Sequence, residues 1–455
     1  MPELLRTLVD FLETYRPALT SPSFANSIVI FVGWVCSSGT HAVTEALVVT
    51  GVPGRRHHEA FHRFFSRGTW QPDEIGRLLF TAVLRLVGAA TAPVCIVVDD
   101  TLAPKKGAHV FGIGNHLDAV RSTRRHLVFC FGHCWVVLAV MVPVPFSDRI
   151  WALPILFRLY RNKKECAKKK QRYWKKTELA RDMVDVFVGW VGERRVVLTA
   201  DSAYCNNTVT KGLPGSVVLL GAMRPDAVLT ALPSRRGGVG RPRLRGVVVP
   251  KPVALAKDER TPWRTCKATL YGRKTKVAYK DCFAQWYRAC GVRLLHIVVV
   301  KVERGVIPFR VFFSMDPALS VQQILEGYAG RWSIEACFKD LKQHLGFADS
   351  SARKQEAVER TAPFVGFIYT MLVVWFAEHA HRRPIATPPL RPWYTHKRGL
   401  SFADVLRTAQ RVLAPLDVLD PRCGPDNLHQ SPSPTRPRRK LPAATAVKRS
   451  RKGET

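Results

Sequence analysis

Apolar residues recur at helical spacing in four stretches of the first ninety positions, 4–15, 24–36, 42–50 and 72–87, and predict a helical N-terminal region. From position 93 the period changes. Residues 94–98 are continuously apolar and run into Asp99-Asp100-Thr101, while 195–200 run into Asp201, so each reads as a buried strand that delivers a carboxylate at its C-terminal end. Between them, 127–131 and 135–142 read as a hairpin turning at Gly132 and His133, and 177–191 as a helix. A strand at 216–220 follows, then a β-rich stretch that includes 263–279 and 294–313. Ser320 and Gln323 have capping-box spacing at the start of the next helix. The apolar run 363–377 is too short to span a bilayer and is interrupted by Gly366 and Thr370, which predicts a buried core helix. Beyond Arg382 the chain is rich in Pro, and from Pro421 it has little to bury, which predicts a largely disordered basic tail.

The segment from Tyr328 to Lys342 has the most unusual pattern. At about 100° per residue, Tyr328, Arg331, Glu335, Lys339 and Lys342 share one stripe roughly 80° wide. An apolar face of Ile334, Phe338, Leu341 and Leu345 lies directly beside it. One reading is a solvated charged face with an i,i+4 pair between Glu335 and Lys339. The other is a functional edge, because a phenol, a guanidinium, a carboxylate and ammonium groups suit a metal and a phosphodiester together. Gly327 and Gly330, each costing about 1 kcal/mol inside a helix, favour the second by suggesting that something approaches the backbone.

Charge narrows the partner. Lys and Arg number 70 against 35 Asp and Glu, a net charge of +35 with pI near 10.3, so the expected partner is a polyanion, and nucleic acid is the default. The basic loops 161–176 and 232–246 and the tail clusters 436–440 and 448–452 read as nonspecific phosphate contacts. The basic and aromatic segment 54–67 lies among the N-terminal helices, which suggests a helical DNA-binding domain; a helical cap on the next domain with a basic rim is the alternative. The N-terminus has no apolar signal core, and the protein is expected in the cytoplasm, with no membrane partner. Its 11 Cys include no CxxC pair, which argues against a disulfide framework or a zinc ribbon. His126, Cys130, His133 and Cys134 lie close together, but strand alternation would send Cys130 and His133 to opposite faces.

Asp99, Asp201 and Glu335 therefore have matched settings, two at strand ends and one on a helix bordering the core. Carboxylates without His or Cys suit hard cations such as Mg²⁺ or Mn²⁺. Two such ions could prepare the attacking oxygen and stabilise the leaving oxygen of a phosphoryl displacement. The competing reading is two helix caps and a surface ion pair. Asp99 and Asp100 are adjacent, and only one can point into a site from a regular strand, so Asp100 is the alternative ligand.

The spacing Tyr328, two residues, Arg331, three residues, Glu335, six residues, Lys342 resembles the signature of a group of DDE transposases of bacterial insertion sequences. Asp99-Asp100-Thr101 and Leu198-Thr-Ala-Asp201-Ser-Ala-Tyr204 resemble the family's two Asp segments, and His62-Arg-Phe-Phe-Ser66 and Lys105-Lys106-Gly107 are also similar to this group. The family's Asp-x-Thr pattern favours Asp99 over Asp100. The resemblance implies an α/β fold, an RNase H-like catalytic core interrupted by a β-rich insertion. Independently, 134 positions separate Asp201 from Glu335, more than one strand and one helix need, so something is inserted there. It further implies that Asp99, Asp201 and Glu335 hold two Mg²⁺ or Mn²⁺ ions. Tyr328, Arg331 and Lys342, with Lys339, Lys105 and Lys106, would grip DNA phosphates, and Trp263, Trp286 or Trp332 could stack on a flipped base.

The expected organisation is a helical DNA-binding domain at 1–90, the core at 91–223 and 316–382, the insertion at 224–315 and the tail at 383–455. The expected activity is cut-and-paste transposition, with cleavage at the terminal inverted repeats and strand transfer into target DNA by a synaptic homodimer. The alternatives are a catalytically inactive, transposase-derived repressor and a structure-specific nuclease on the same fold.

Overall fold

The computed structural model of the chain describes residues 2–107, 109–118, 120–123, 125–233, 243–302, 308–390, 392–393 and 399–419. The tail clusters 436–440 and 448–452 and most of the basic loop 232–246 lie outside the described residues.

Five helices open the chain: α1 (Pro2–Glu13), α2 (Ser21–Cys36), α3 (Val43–Val49), α4 (Glu59–Ser66) and α5 (Pro72–Val87). Apolar on every side, α2 is buried along almost its whole length. Its Trp34 donates its indole N–H to the carbonyl of Leu345 at 2.9 Å. Arg360 in turn donates to the carbonyls of Phe65 and Trp70. The buried side chains of the N-terminal helices belong to the same hydrophobic cluster as those of the central strands and of the last helices. Several of the rim's cations are engaged: Arg55 with Asp417, Arg56 with Asn26 and Arg63 with Glu59.

The central elements are β1 (Val94–Pro104), β2 (Gly114–Leu117), β3 (Phe129–Val144), β4 (Ser147–Tyr160), α6 (Lys163–Lys168), α7 (Lys176–Val191), β5 (Val196–Ala200), α8 (Asn207–Thr210) and β6 (Val217–Met223). The expected insertion contains β7 (Leu229–Thr230), β8 (Val248–Val249), α9 (Pro252–Lys257), β9 (Arg264–Leu270), β10 (Arg273–Gln285), α10 (Tyr287–Cys290), β11 (Leu294–Lys301) and β12 (Phe309–Ser314). The last helices are α11 (Val321–Gly330), α12 (Trp332–His344), α13 (Gln355–Trp375) and α14 (Phe402–Leu413). All strands join one mixed sheet ordered β2-β3-β1-β5-β6-β12-β11-β10-β7-β8, with β4 on β3 and β9 on β10. β1, β5 and β6 are mutually parallel, and β3 is antiparallel to both β1 and β4. A mixed α/β architecture with a large mixed sheet is consistent with a DDE nuclease fold.

Three expectations change. β1 does not stop before Asp99; it runs on to Pro104 because β3 keeps pairing with it after β5 has ended. Gly132 is no turn but lies inside β3, where a Cβ would fall on the carbonyl oxygen of Ala103; β3 forms hairpins with β2 before it and with β4 after it. The strands of 224–315 extend the same sheet through β12 on β6. The tail expected from 383 is ordered at 402–413, where Ser401 and Asp404 form a reciprocal capping box and Phe402, Val405 and Ala409 are buried. The apolar helix also proves longer than its run: Gln355–Ala380 has 26 residues, enough by length and composition to cross a membrane, and its apolar window is 94% buried inside the protein.

Candidate active site

Strand pairing brings the two Asp residues together. In the parallel register Val98 faces Ala200, so Asp99 and Asp201 come next on neighbouring strands. β5 ends there because the Asp201 side chain turns back on its own backbone: Oδ1 accepts the amide of Ala203 at 2.9 Å and that of Tyr204 at 3.4 Å. Strand alternation separates Asp99 from Asp100. The carboxylate of Asp100 faces α7, accepting from Lys176 Nζ at 2.6 Å and from the Tyr204 hydroxyl at 2.7 Å. Asp99 faces α12.

Arg331 joins the helix to the strands. The stretch expected as one helix is two, meeting at Arg331, whose amide bonds the carbonyl of Tyr328 at 3.0 Å in a tight turn. From this corner the guanidinium reaches Asp99 Oδ2 at 2.8 Å and Glu335 Oε1 at 2.7 Å. Ile334, Phe338, Leu341 and Leu345 are buried as the pattern predicted. The polar stripe divides. The Tyr328 ring packs on Phe312, with Arg331 Cζ 5.8 Å from its centroid, while Lys339 and Lys342 are exposed farther along α12. Gly327 and Gly330 require no special approach within the chain: a Cβ would make ordinary contacts at 3.6 Å with Leu220 and 3.7 Å with Met141.

Burial pushes the Asp99 carboxyl up to about 7; the Arg331 charge opposes this and the Asp201 charge adds to it. Burial also weighs against the charged form of Arg331, but Asp99, Tyr328 and Glu335 outweigh it and hold its pKa above the ordinary value. When all are ionised, three carboxylates against one guanidinium leave two negative charges uncompensated. That charge and an all-oxygen donor set fit a hard divalent cation. Among the described residues no three His, Cys, Asp or Glu side chains sit close enough together to hold an ion; the guanidinium lies between Asp99 and Glu335. Arg331 Nε is buried without a hydrogen-bond partner among the described residues.

The expected phosphate contacts fall in different places. Lys105 is not free, because its ammonium donates to the carbonyl of Ala348 at 2.6 Å and to that of Ser350, and burial lowers its pKa to about 8. Lys106 beside it is exposed. Of the three Trp residues, Trp263 lies under Lys280 and Trp286 packs on Phe313, while Trp332 is 54% exposed next to Arg331. The Asp100–Tyr204–Lys176 cluster escaped the sequence reading. Lys176 looked like one more cation of a solvated loop, and the only signal for Tyr204 was its place three residues after a strand-end Asp.

The model of the DDE superfamily endonuclease family matches residues 24–281, more than half of the chain. The span includes Asp99 and Asp201 and ends before Glu335. No curated protein shows a significant match. Among solved structures, the cryo-EM structure of a piggyBac transposase synaptic complex with hairpin DNA aligns at 11% identity and a TM-score of 0.42, over 96% of this chain and 84% of that one. That likeness is too weak to establish a shared fold.

Proposed function

For this chain, which belongs to the DDE superfamily of endonucleases, we propose the activity of a transposase that cuts DNA at the ends of its own element and transfers the freed strands into target DNA. The observation that carries this reading is the bridge from Arg331 to Asp99 and Glu335, with Asp201 level with Asp99 on the next strand. The order β4-β3-β1-β5-β6, three antiparallel strands followed by two parallel ones, supports an RNase H-like core. The Tyr328, Arg331, Glu335, Lys342 spacing supports the insertion-sequence subgroup.

Asp99, Asp201 and Glu335 would hold Mg²⁺ or Mn²⁺, which supplies Lewis acidity toward the phosphodiester and its attacking oxygen. The protein's own charge accommodates one divalent ion, and a second would rely on the phosphate of bound DNA. Arg331 neutralises Asp99 and Glu335 in the free protein and, released from them, is placed to bind the scissile phosphate as a planar fork. Tyr328 supports the guanidinium from below. Lys342, about two turns beyond Glu335, meets the next phosphates of the same strand. Trp332 is the exposed aromatic beside this path for a flipped base. Two copies would act together on paired ends.

The experiment supplies linear DNA carrying the sequences that flank the gene, with Mg²⁺ or Mn²⁺. The expected result is cleavage at inverted termini, and its loss in Asp201→Ala with DNA binding retained. Cutting at branched DNA regardless of terminal sequence would instead indicate a structure-specific nuclease. Binding without products under any divalent ion would indicate a repressor.

A further inference from the structure

A cleft of about 850 Å³ opens between the β2–β3 hairpin and the loop that follows α12. Phe129 and Phe131 form one wall, 55% and 47% exposed. Lys106, Arg121 and Arg353 form the rim, with Asp349 as its acid. Asp349 is committed inward, accepting the amide of His41 at 3.0 Å, and Arg121 has a loose pair with Asp118 at 3.7 Å. The volume falls within the roughly 300–1,000 Å³ of pockets that take a molecule of drug size, about one or two nucleotides.

The cleft shares a face of the sheet with Asp99. Residues directly opposite in an antiparallel pair project to the same side. Asp99 faces Val137, Thr101 faces Trp135 and Ala103 faces His133, and the Lys105 amide bonds the carbonyl of Phe131 at 3.0 Å. Phe131 and Phe129 therefore continue the side that carries Asp99. β1 covers about 20 Å from Asp99 to the cleft at ~3.3 Å per residue. α12 leads the same way, from Glu335 past Lys342 to the loop at Ala348. A strand stacked as in a duplex advances ~3.4 Å per nucleotide, so the cleft lies at most about six nucleotides from the acids.

We propose that this cleft binds an unpaired stretch of DNA strand, with bases stacked on Phe129 and Phe131 and phosphates held by Lys106, Arg121 and Arg353. A duplex hides its base faces and gains little from an exposed aromatic wall, whereas an unpaired base of any identity offers a π-face to stack. Cations without aromatics would fit a duplex backbone, and aromatics without cations would fit a second copy of this chain; the cleft has both. The proposal rests on the DNA-nuclease reading, which places the strand at Asp99, and names where that strand goes.

The test measures equilibrium binding of full-length protein to fluorescein-labelled oligothymidylate and to a duplex of equal length, with divalent cations chelated so that cleavage plays no part. Phe129→Ala with Phe131→Ala removes two half-exposed rings, and far-UV circular dichroism verifies the fold. The double variant is expected to weaken single-strand binding about fivefold or more and to leave duplex binding within about twofold. Arg353→Ala should flatten the salt dependence of single-strand binding by about 0.7 in log–log slope. Equal losses on both ligands, or none, would overturn the proposal. So would a dimer that dissociates in the double variant with single-strand affinity unchanged, which would assign the face to a second copy. Wild-type protein that binds neither ligand would sink the DNA-nuclease reading itself.

Discussion

The hydroxyl of Tyr204 donates to Asp100 Oδ1 at 2.7 Å, and the amide of the same Tyr204 belongs to the turn closed by Asp201. One residue thus ties the turn that carries Asp201 to the strand that carries Asp99. The tie sits on the face of β1 opposite Asp99, so Asp100 anchors the strand on the side away from the Arg331 bridge.

Tyr204→Phe keeps the buried ring and removes only this bond. Hydrogen bonds to charged groups contribute about 1.5–3 kcal/mol, and urea unfolding should show a loss in that range. Because the Asp201 turn is loosened while all three acids remain, cleavage should need more divalent cation for half-maximal rate, with the saturated rate less affected. A drop in the saturated rate alone would argue against a positioning role.

Arg331→Ala strands Asp99 and Glu335 beside Asp201 without a cation. Breaking a buried pair costs about 3–5 kcal/mol, discounted here because Glu335 is 35% exposed. A thermal melt in chelator should show clear destabilisation, and Mg²⁺ or Mn²⁺ should raise the melting temperature of the variant more than that of the wild type. Equal shifts would mean that cation and guanidinium do not share the same carboxylates.

Asp340, on α12, gives a pH prediction away from the acids. Burial raises its carboxyl from 3.8 to about 6, opposed by Lys339. A raised carboxyl favours folding fully below its unfolded pKa and loses that contribution as pH rises through about 6. Asp340→Asn removes the ionisation, so its stability relative to wild type should grow between pH 5 and pH 8, approaching roughly 2–3 kcal/mol. Denaturant melts at the two pH values give the comparison, and a gain that does not change with pH would contradict it.

The neighbouring Lys105 and Lys106 should separate cleanly. Lys105→Met removes the donor to Ala348 and Ser350 and should cost about 1–3 kcal/mol of stability with the salt slope of duplex binding unchanged. Lys106→Ala should leave stability alone and flatten the salt dependence of single-strand binding by about 0.7 in log–log slope.

Much of the site was legible because its residues follow local rules. The apolar runs before Asp99 and Asp201 are strands whose parallel register aligns the acids, and the helical period set Ile334 and Phe338 inward with Glu335 at the edge. What escaped depends on partners distant in sequence. Nothing near Gly132 announces that Ala103 will lie against it, so a glycine fixed by strand contact read as a turn. Lys105 lies 243 positions from Ala348, and the carbonyl that fixes its ammonium is invisible from its neighbours. α14 looked like tail because its Pro-rich flank outweighed a short amphipathic helix.

Asp99, Asp201 and Glu335 would form one cation seat once Arg331, which bridges Asp99 and Glu335 in the free protein, is released from them. The most direct measurement is Mn²⁺ binding, followed by the loss of the free-ion EPR signal on titration with full-length wild type, Asp201→Ala and Glu335→Ala. The account predicts saturable binding by the wild type and affinity at least about tenfold weaker in each variant. Variants that bind Mn²⁺ as tightly as the wild type would contradict it.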